Sequence, residues 1–202
     1  MTELYTLKIY ETKIPVQRLI ADFQNKEYFL RFCKECVNYN ARWSCPALDF
    51  DVNEYLSKFQ FAHLISAKIV FKKEVIDTVR TAEDINRVTN ETIQETRKHL
   101  LEKLLELEEK YPSSVSIVSG GCNICKTCAR TLRKPCIHPD KMRYSLNTFG
   151  FDITKLLKEL FQIELIWSKG KLPEYYTLVS AFLTNKNLPA RLLSNGCGDP
   201  LK

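Results

Sequence analysis

The sequence of 202 residues predicts an α/β fold, with α+β as the alternative, arranged as a sandwich around a mixed sheet. Two observations carry this prediction. Segments with strand character alternate along the chain with segments of helical periodicity, and residues 81–110 form one long helical pattern. No repeat, low-complexity run or Gly/Ser linker divides the chain, so we expect one metal-binding domain over residues 1–202, with cysteine-rich loops at 33–46 and 120–139.

The first third of the chain predicts two strands and two helices. "LYTLKIYETKIPV" alternates enough to be a strand, and "PVQRLIADFQN" reads as a helix that begins at Pro15. "DFDVNEYLSKF" predicts a short helix, and "FAHLISAKIVFK" predicts a strand because it is rich in Ile, Val and Phe.

The long helix has the clearest signals. Thr81 is a candidate N-cap, acidic residues follow in the first turn, and Pro112 ends the pattern. Apolar residues recur at helical spacing, at Ile85, Val88, Ile93, Leu100, Leu104 and Leu107.

The rest of the chain predicts three strands and further helix. "SVSIVSG" is a short strand that runs into a cysteine-rich loop, residues 140–161 predict one or two helices, and "IELIWS" and "YYTLVSAFL" predict strands. The loop therefore begins at a strand end, where open α/β sheets place their sites. The pair Gly120 and Gly121 lets the backbone turn and approach a bound group there.

Composition bounds the class of protein. The chain is 45% hydrophobic and 27% charged, and no stretch approaches the roughly 18 apolar residues that a membrane span needs. The start, "MTELYTLKIYETK", lacks a basic-then-apolar leader. We therefore expect a cytoplasmic protein without a membrane role, in which clustered cysteines indicate metal binding or redox chemistry before disulfides.

The charge is concentrated near the cysteines. Six basic residues and one acidic residue lie between Lys126 and Arg143, a net charge of +5 out of +6 for the chain. Nucleic-acid binding is not expected, since only Tyr144 is nearby for base stacking. Two interpretations stay open: a solvated basic face, or cations that offset a negative bound group and attract an acidic redox protein or a small anionic ligand.

The segment "SGGCNICKTCARTLRKPC", residues 119–136, holds four of the eight cysteines. Cys122, Cys125 and Cys128 follow one another at intervals of three, and seven residues separate Cys128 from Cys136. Three sulfurs from one tight loop crowd a single zinc ion, which usually takes two separate cysteine pairs. They suit the spread iron corners of a [4Fe–4S] cluster, as in bacterial ferredoxins, although Cys136 comes later here. An iron–sulfur cluster is favoured, and zinc is the alternative.

A second group lies upstream in "RFCKECVNYNARWSCPALDF". Cys33 and Cys36 form a Cys-x2-Cys pair, and Cys45 follows directly before Pro46. The pair alone could be two small buried side chains or a redox dithiol. With a third cysteine in the same loop, metal ligation is favoured.

The division of ligands between the groups stays open. Cys197 or a non-cysteine group could complete a second cluster, the three upstream cysteines could leave one iron open, or the two groups could mix. Cys197 lies near the chain end and is favoured as a bystander. His138 is a further candidate ligand, while His63 and His99 are interpreted as structural.

Together these motifs resemble a family of predicted metal-binding proteins of unknown function, common in anaerobic bacteria and methanogens. The chain departs from the family's usual pattern at Ala47, where a second proline is usual, and at Asn147, where an acidic residue is usual. The matching positions are Cys33, Cys36, Trp43, Cys45, Pro46, Gly120, Gly121, Cys122, Cys125, Cys128, Pro135, Cys136, Pro139, Arg143, Ser145, Gly150 and Asp152. The resemblance implies metal binding and supplies no reaction.

Three functions follow as hypotheses. The first is electron transfer in an anaerobic cytoplasm by one or two [4Fe–4S] clusters, which nearby Lys and Arg residues stabilise. The second is an enzyme that uses an open iron at the three-cysteine group. The third is a structural or interaction module stabilised by zinc.

Overall fold

The computed structural model describes residues 4–193 and confirms a fold of helices packed on a sheet. Four strands form the sheet in the order β1-β2-β4-β3, and each neighbouring pair is antiparallel. An isolated bridge between Val118 and Ser145 adds one parallel contact at the edge. The strands are β1 (Tyr5–Pro15), β2 (Phe61–Phe71), β3 (Val115–Ile117) and β4 (Tyr175–Thr184).

The helices lie between the strands in sequence, as the alternation predicted. Short turns of other helix types also occur, a 3₁₀ turn at Ala129–Leu132 and a π-helical turn at Leu157–Phe161. The α-helices are α1 (Val16–Phe23), α2 (Lys26–Lys34), α3 (Val52–Leu56), α4 (Lys73–Thr78), α5 (Ala82–Lys110) and α6 (Ile153–Leu156). None of the helices described here is both long and apolar enough to cross a membrane.

Both faces of the sheet are buried. Successive side chains of β2 point to opposite sides of the sheet, and most of them are buried. Ala62 and Leu64 face a cluster formed with α1, α3, α6 and the segment around Phe149. Ile65 and Ile69 face the other side, where α5 supplies Ile85, Val88, Leu100 and Leu104. Helices and loops thus cover the sheet from both sides, and α5 spans one face.

Local capping explains where several helices begin. The Thr81 hydroxyl accepts a hydrogen bond from the Asp84 N–H at 3.1 Å, which confirms the predicted start of α5. Asn25, Asp51 and Asp152 accept the equivalent bond at α2, α3 and α6. Pro15 precedes α1 as predicted and makes no side-chain cap.

Two predicted elements were wrong in whole or in part. Residues 163–168 are not a strand: Ile163 is buried in the core, but the run joins no neighbouring strand, and Trp167 is 73% exposed. A β-prone sequence predicts an extended, half-buried segment and does not by itself supply a pairing edge. The helix predicted over 140–161 begins only at Ile153, because turns occupy the preceding residues.

Helix α2 was absent from the sequence prediction. It buries no side chain although its apolar residues recur at helical spacing, and four of its nine residues are charged, so it lacks the core contacts that usually accompany such a pattern. Its last turn carries Cys33, which places this helix at the candidate site.

Candidate metal centre

The two cysteine loops come together beyond the end of β3. Val118 follows that strand and bridges to Ser145, and the chain then turns through Gly120 and Gly121 into the downstream loop. The upstream loop leaves α2 at Lys34 and reaches the same place through Ser44. Seven of the eight cysteines therefore lie in two neighbouring loops, while Cys197 lies outside the described residues.

The four downstream cysteines line one small cavity of about 20 Å³. Cys122, Cys125, Cys128 and Cys136 all contribute to its wall, although the loop contains no regular structure beyond the short turn at 129–132. All four are partly exposed. Such a convergence of thiols close to the surface fits a thiolate-bound metal or cluster better than it fits ordinary core packing.

Two side chains outside the four cysteines also reach this cavity. His138 lies in its wall, so the structure keeps this histidine next to the thiols as the sequence allowed. Trp43 enters from the upstream loop, and its indole N–H donates to the Lys134 carbonyl at 3.0 Å. The tryptophan therefore covers the cavity and fixes the far end of the downstream loop.

The three upstream cysteines form a neighbouring group. Cys33 lies in the last turn of α2, Cys36 follows in the next turn, and Cys45 lies on the return of the loop. Burial raises the pKa of the Cys33 thiol, and repulsion from the Cys45 and Cys36 thiols raises it further. The Cys36 sulfur also accepts a hydrogen bond from the Asn38 N–H at 3.5 Å.

The two groups share a common wall. The Ser44 hydroxyl is fully buried and accepts a hydrogen bond from the Cys122 N–H at 3.0 Å. A Cβ added at Gly121 would lie only 3.7 Å from the Cys45 sulfur. Thr148 donates its hydroxyl to the Ser44 carbonyl at 2.8 Å and closes the wall from the sheet side.

Arg130 joins the two loops. Its guanidinium donates to the carbonyls of Arg42 and Cys45 at 2.8 Å, to the Ala47 carbonyl at 2.7 Å, and to the Asn40 side chain at 3.1 Å. One downstream side chain thus satisfies three carbonyls of the upstream loop, an arrangement that the planar fork of arginine suits.

Arg42 makes the reciprocal connection. Its guanidinium donates to the Cys122 carbonyl and to the Asn123 side chain, and its Nε donates to Asn38 at 2.8 Å. Burial raises the pKa of the Cys45 thiol, while a hydrogen bond with Ser44 and the positive charges of Arg42 and Arg130 act in the opposite direction. The two arginines therefore favour a thiolate at Cys45 while they hold the loops together.

At Cys122, too, burial favours the neutral thiol, whereas a bound metal would favour the thiolate. Burial raises the pKa of its thiol, and the nearby thiols of Cys125, Cys136 and Cys128 raise it further. A bound metal would reverse this, since thiolates are the ligands and metal binding releases their protons.

The arrangement of donors is open rather than tightly closed. Within residues 4–193, no three His, Cys, Asp or Glu side chains form a ready-made site for a metal ion. The donor set itself is one of soft thiolates, which select zinc, copper(I) or iron–sulfur clusters over magnesium or calcium. By this chemistry the residues fit a thiolate-bound metal group.

Two larger cavities flank the cysteines. One, of about 220 Å³, reaches Cys33 and is otherwise lined by α2, the loop after Cys45 and residues 147–150. Ala47 and Asn147, the two departures from the family's usual pattern, both line it. The other, of about 420 Å³, reaches Cys122 from the side of α5.

Sequence reasoning identified the cysteines and the glycine pair but missed their supports. Arg130 was counted only as part of the basic window, and Ser44 carried no signal beyond its place between Trp43 and Cys45. Thr148 belongs to a segment predicted as helix. These residues act through long-range contacts, which a local pattern does not contain.

Comparison with known proteins identifies a family. No curated protein and no solved structure matches this chain significantly. A family model described as "Predicted metal-binding protein (DUF2284)" matches residues 19–183, a range that includes all seven loop cysteines. The chain therefore belongs to this DUF2284 family of predicted metal-binding proteins, as its motifs predicted.

Proposed function

We propose that the protein binds a [4Fe–4S] cluster through Cys122, Cys125, Cys128 and Cys136, and that it transfers electrons in the cytoplasm of an anaerobic cell. The observation that carries the proposal is the convergence of these four thiols on one shallow cavity. A compact Cys-x2-Cys-x2-Cys run followed by a fourth cysteine suits a cluster better than a single zinc ion.

The residues of the chain would hold and tune such a cluster. The four thiolates bind it, Trp43 shields it from water, and the loop backbone keeps it close to the surface. The cluster would supply the one-electron chemistry. Exposed cations on the same loop, at Lys126, Arg133 and Lys134, would stabilise added negative charge and offer a docking face to an acidic redox protein.

The upstream group would hold a second cluster through Cys33, Cys36 and Cys45. Three thiols leave one iron without a cysteine ligand unless another group completes the set. The cavity of about 220 Å³ at Cys33 supports a second candidate function, an enzyme whose substrate reaches that open iron.

The first test is anaerobic purification of the full chain, with iron, sulfide and zinc counted per chain and a redox titration. About eight irons indicate two clusters and about four indicate one. Electron transfer predicts a reversible one-electron couple. A colourless protein with stoichiometric zinc and no sulfide would overturn the proposal and leave a zinc-stabilised structural module.

Serine variants assign the clusters. Cys125→Ser should remove the iron of the downstream group and Cys36→Ser that of the upstream group, so each variant serves as the control for the other. Cys197→Ser should leave the iron count unchanged, whereas loss of iron in that variant would identify it as a ligand. Spectral change on adding a small thiol to the Cys125→Ser variant would favour the open-iron enzyme.

A further inference from the structure

The cavity of about 420 Å³ beside Cys122 has a cationic lining that the metal site does not explain. Four basic side chains line it, and the lining contains no carboxylate. They come from α5 and from the segment after the cysteine loop: Arg97, Lys98, Lys141 and Arg143. This excess of positive charge lines a half-open cavity, which distinguishes it from a flat basic face.

Arg97 is the central observation. Its Nε is buried, and the guanidinium makes no hydrogen bond or ion pair within residues 4–193. Burial lowers the pKa of this group, which reflects the cost of holding an unpaired cation away from water. The Arg97 side chain as a whole is only partly buried, and among its nitrogens Nε is the one shielded from solvent, so an unpaired guanidinium that lines this cavity is suited to bind an anion there.

Gly120 creates the space that Arg97 occupies. A Cβ at this position would lie 2.6 Å from Nη2 and 2.8 Å from Cζ of Arg97, and the residue has a φ of +70°. The guanidinium therefore lies against bare backbone one residue before the turn into Gly121 and Cys122. Gly120, which begins the turn into the cysteine loop, therefore also leaves room for the Arg97 guanidinium.

Of the other three basic residues, one is paired with a carboxylate and two can interact with a bound anion. Arg143 is paired with Glu108, which binds its Nε at 2.8 Å, and both side chains are mostly buried. Lys98 and Lys141 have no ion-pair partner in the described part of the chain. Arg97, Lys98 and Lys141 thus leave the cavity with a net charge of about +3.

The remaining lining suits a small organic molecule. Leu101, Val118 and Ile124 give apolar walls, and Gln94 and Asn123 add amide groups at the rim. A cavity with apolar walls and a few convergent polar groups is the usual form of a small-molecule site. The planar guanidinium of Arg97 would bind two oxygens of one anion at once.

We propose that this cavity binds a small organic oxyanion, a carboxylate or a phosphate with an apolar part, next to the metal ligand Cys122. Arg97 would bind the anionic group, Lys98 and Lys141 would add attraction, and the apolar part would lie against Leu101 and Val118. Binding of the anion requires only the residues of the cavity. Its position beside a cluster, and thus its role as a substrate or effector of that cluster, rests on the proposed function.

The test is calorimetric titration of the full chain, purified without air, with benzoate, phenyl phosphate and neutral benzamide. Benzoate or phenyl phosphate should bind saturably, and benzamide should not, since it differs from benzoate mainly in charge. Preference between the two anions distinguishes a carboxylate site from a phosphate site. Absence of saturable binding of both anions up to about 10 mM would overturn the proposal.

Variants locate the binding. Arg97→Gln should weaken the binding affinity for the anion by about tenfold or more, because a charge-assisted bidentate contact is lost. Gly120→Ala should weaken it as well, by displacing the guanidinium without removing its charge. Arg87→Gln is the matched control, since Arg87 lies on the exposed side of the same helix and pairs with Asp84. Equal affinity in Arg97→Gln and the wild type would overturn the assignment.

A second readout separates this inference from the proposed function. If the chain carries iron, the bound anion should perturb the cluster's electron paramagnetic resonance signal, and Arg97→Gln should abolish that perturbation. Saturable binding without perturbation would keep the anion site and overturn its link to the cluster. If the chain carries no iron, calorimetry alone still decides whether the anion site exists.

Discussion

Arg130 controls the geometry of the site through contacts that its charge alone does not explain. Besides its hydrogen bonds to the upstream loop, its guanidinium lies over the Trp43 ring, 5.1 Å from the ring centre. Trp43 in turn binds the Lys134 carbonyl at the end of the downstream loop. A residue counted at first as part of a basic surface thus connects the two cysteine groups, and its geometry can be tested separately from its charge.

Arg130→Lys should lose most of these contacts while it keeps the positive charge. A lysine presents one compact donor group in place of the fork, so at least two of the three upstream carbonyls lose their partner. We expect a loss of about 1–3 kcal/mol of unfolding free energy and reduced metal content in both cysteine groups. Urea unfolding and metal analysis measure these changes.

Arg133→Lys is the matched control, because Arg133 lies three residues away on the same loop and is exposed. It should match the wild type in both measurements. If Arg130→Lys also matches the wild type, the arginine contributes charge and not loop geometry.

His63 gives the protein a stability that depends on pH and is independent of the metal site. The side chain is 1% exposed on β2, beside the Phe182 ring on β4. Burial and, to a smaller extent, the charge of Lys13 on the neighbouring strand lower its pKa to about 4, while the Ala190 backbone and Glu11 act in the opposite direction. Neither ring nitrogen has a well-formed hydrogen bond among the described residues.

The unfolding free energy should therefore fall as the pH decreases from about 6.5 toward 4. In this range His63 is protonated in the unfolded chain but stays neutral in the folded core, so protons stabilise the unfolded state. The loss should be on the order of 3 kcal/mol. Urea unfolding of His63→Leu between pH 7.5 and 4.5 should show a shallower decrease than the wild type. His99→Gln on α5 is the control and should keep the wild-type slope, and equal slopes in all three proteins would contradict the assignment to His63.

At the scale of elements, the attachment of α2 decides where Cys33 lies. The Asn25 N–H donates to the Gly150 carbonyl at 2.8 Å at the start of this helix. Gly150 has a φ of +76°, and a Cβ there would lie 2.7 Å from the Lys26 Cα. Because α2 buries no side chain, this close backbone contact is a main support of the helix whose last turn carries Cys33.

Gly150→Ala should therefore lower the unfolding free energy by about 2–3 kcal/mol and reduce metal content at the upstream group. Gly170→Ala is the control, since Gly170 has a similar φ of +79° but no neighbour within 4 Å of the added Cβ. It should lose only about 1 kcal/mol, the cost of the backbone conformation itself. An equal decrease in unfolding free energy in the two variants would show that the contact with α2 does not contribute to stability.

The elements also show how far the sequence can predict such a molecule. Strands β1, β2 and β4 and helix α5 follow from strong periodic patterns and a Thr81 cap, because local residues determine them. Residues 163–168 were wrongly predicted as a strand, since pairing depends on a free neighbouring edge that local sequence does not encode.

The same division holds for the site. Cysteine spacing identified the seven candidate ligands in the two loops, and their assignment as ligands stays a prediction. The contacts of Arg130 across more than 80 positions of sequence, and the seat of Arg97 on Gly120, could not be predicted from spacing. Such contacts depend on which loops the finished fold brings together.

At the scale of the whole molecule, the cysteine loops stand apart from the hydrophobic cores. Neither cluster of buried apolar residues on the two sides of the sheet contains a cysteine. The downstream loop has only one short 3₁₀ turn, and much of it is exposed. The sheet and its helices should therefore persist without metal, whereas the loop should depend on it.

Metal removal should make the downstream loop sensitive to trypsin while the core stays folded. After anaerobic chelation, trypsin should cleave after Lys126 or Arg133, and far-ultraviolet circular dichroism should change little. The metal-loaded protein should resist cleavage at these positions, since the proposed thiolate bonds would anchor four points of the loop. Mass spectrometry of the fragments identifies the sites.

The segment with Lys169 and Lys171 provides an internal control in the same sample. It is exposed, belongs to no helix or strand, and lies away from the cysteines in sequence, so cleavage there should proceed equally with and without metal. Slower cleavage only at the downstream loop on metal loading supports a loop organised by the metal. Protection of the downstream loop in both states would mean that the arginine contacts hold it without metal. Cleavage of the loop as fast as the control segment in both states would contradict a loop organised by the metal, and a global loss of circular dichroism would mean that the core itself requires the metal.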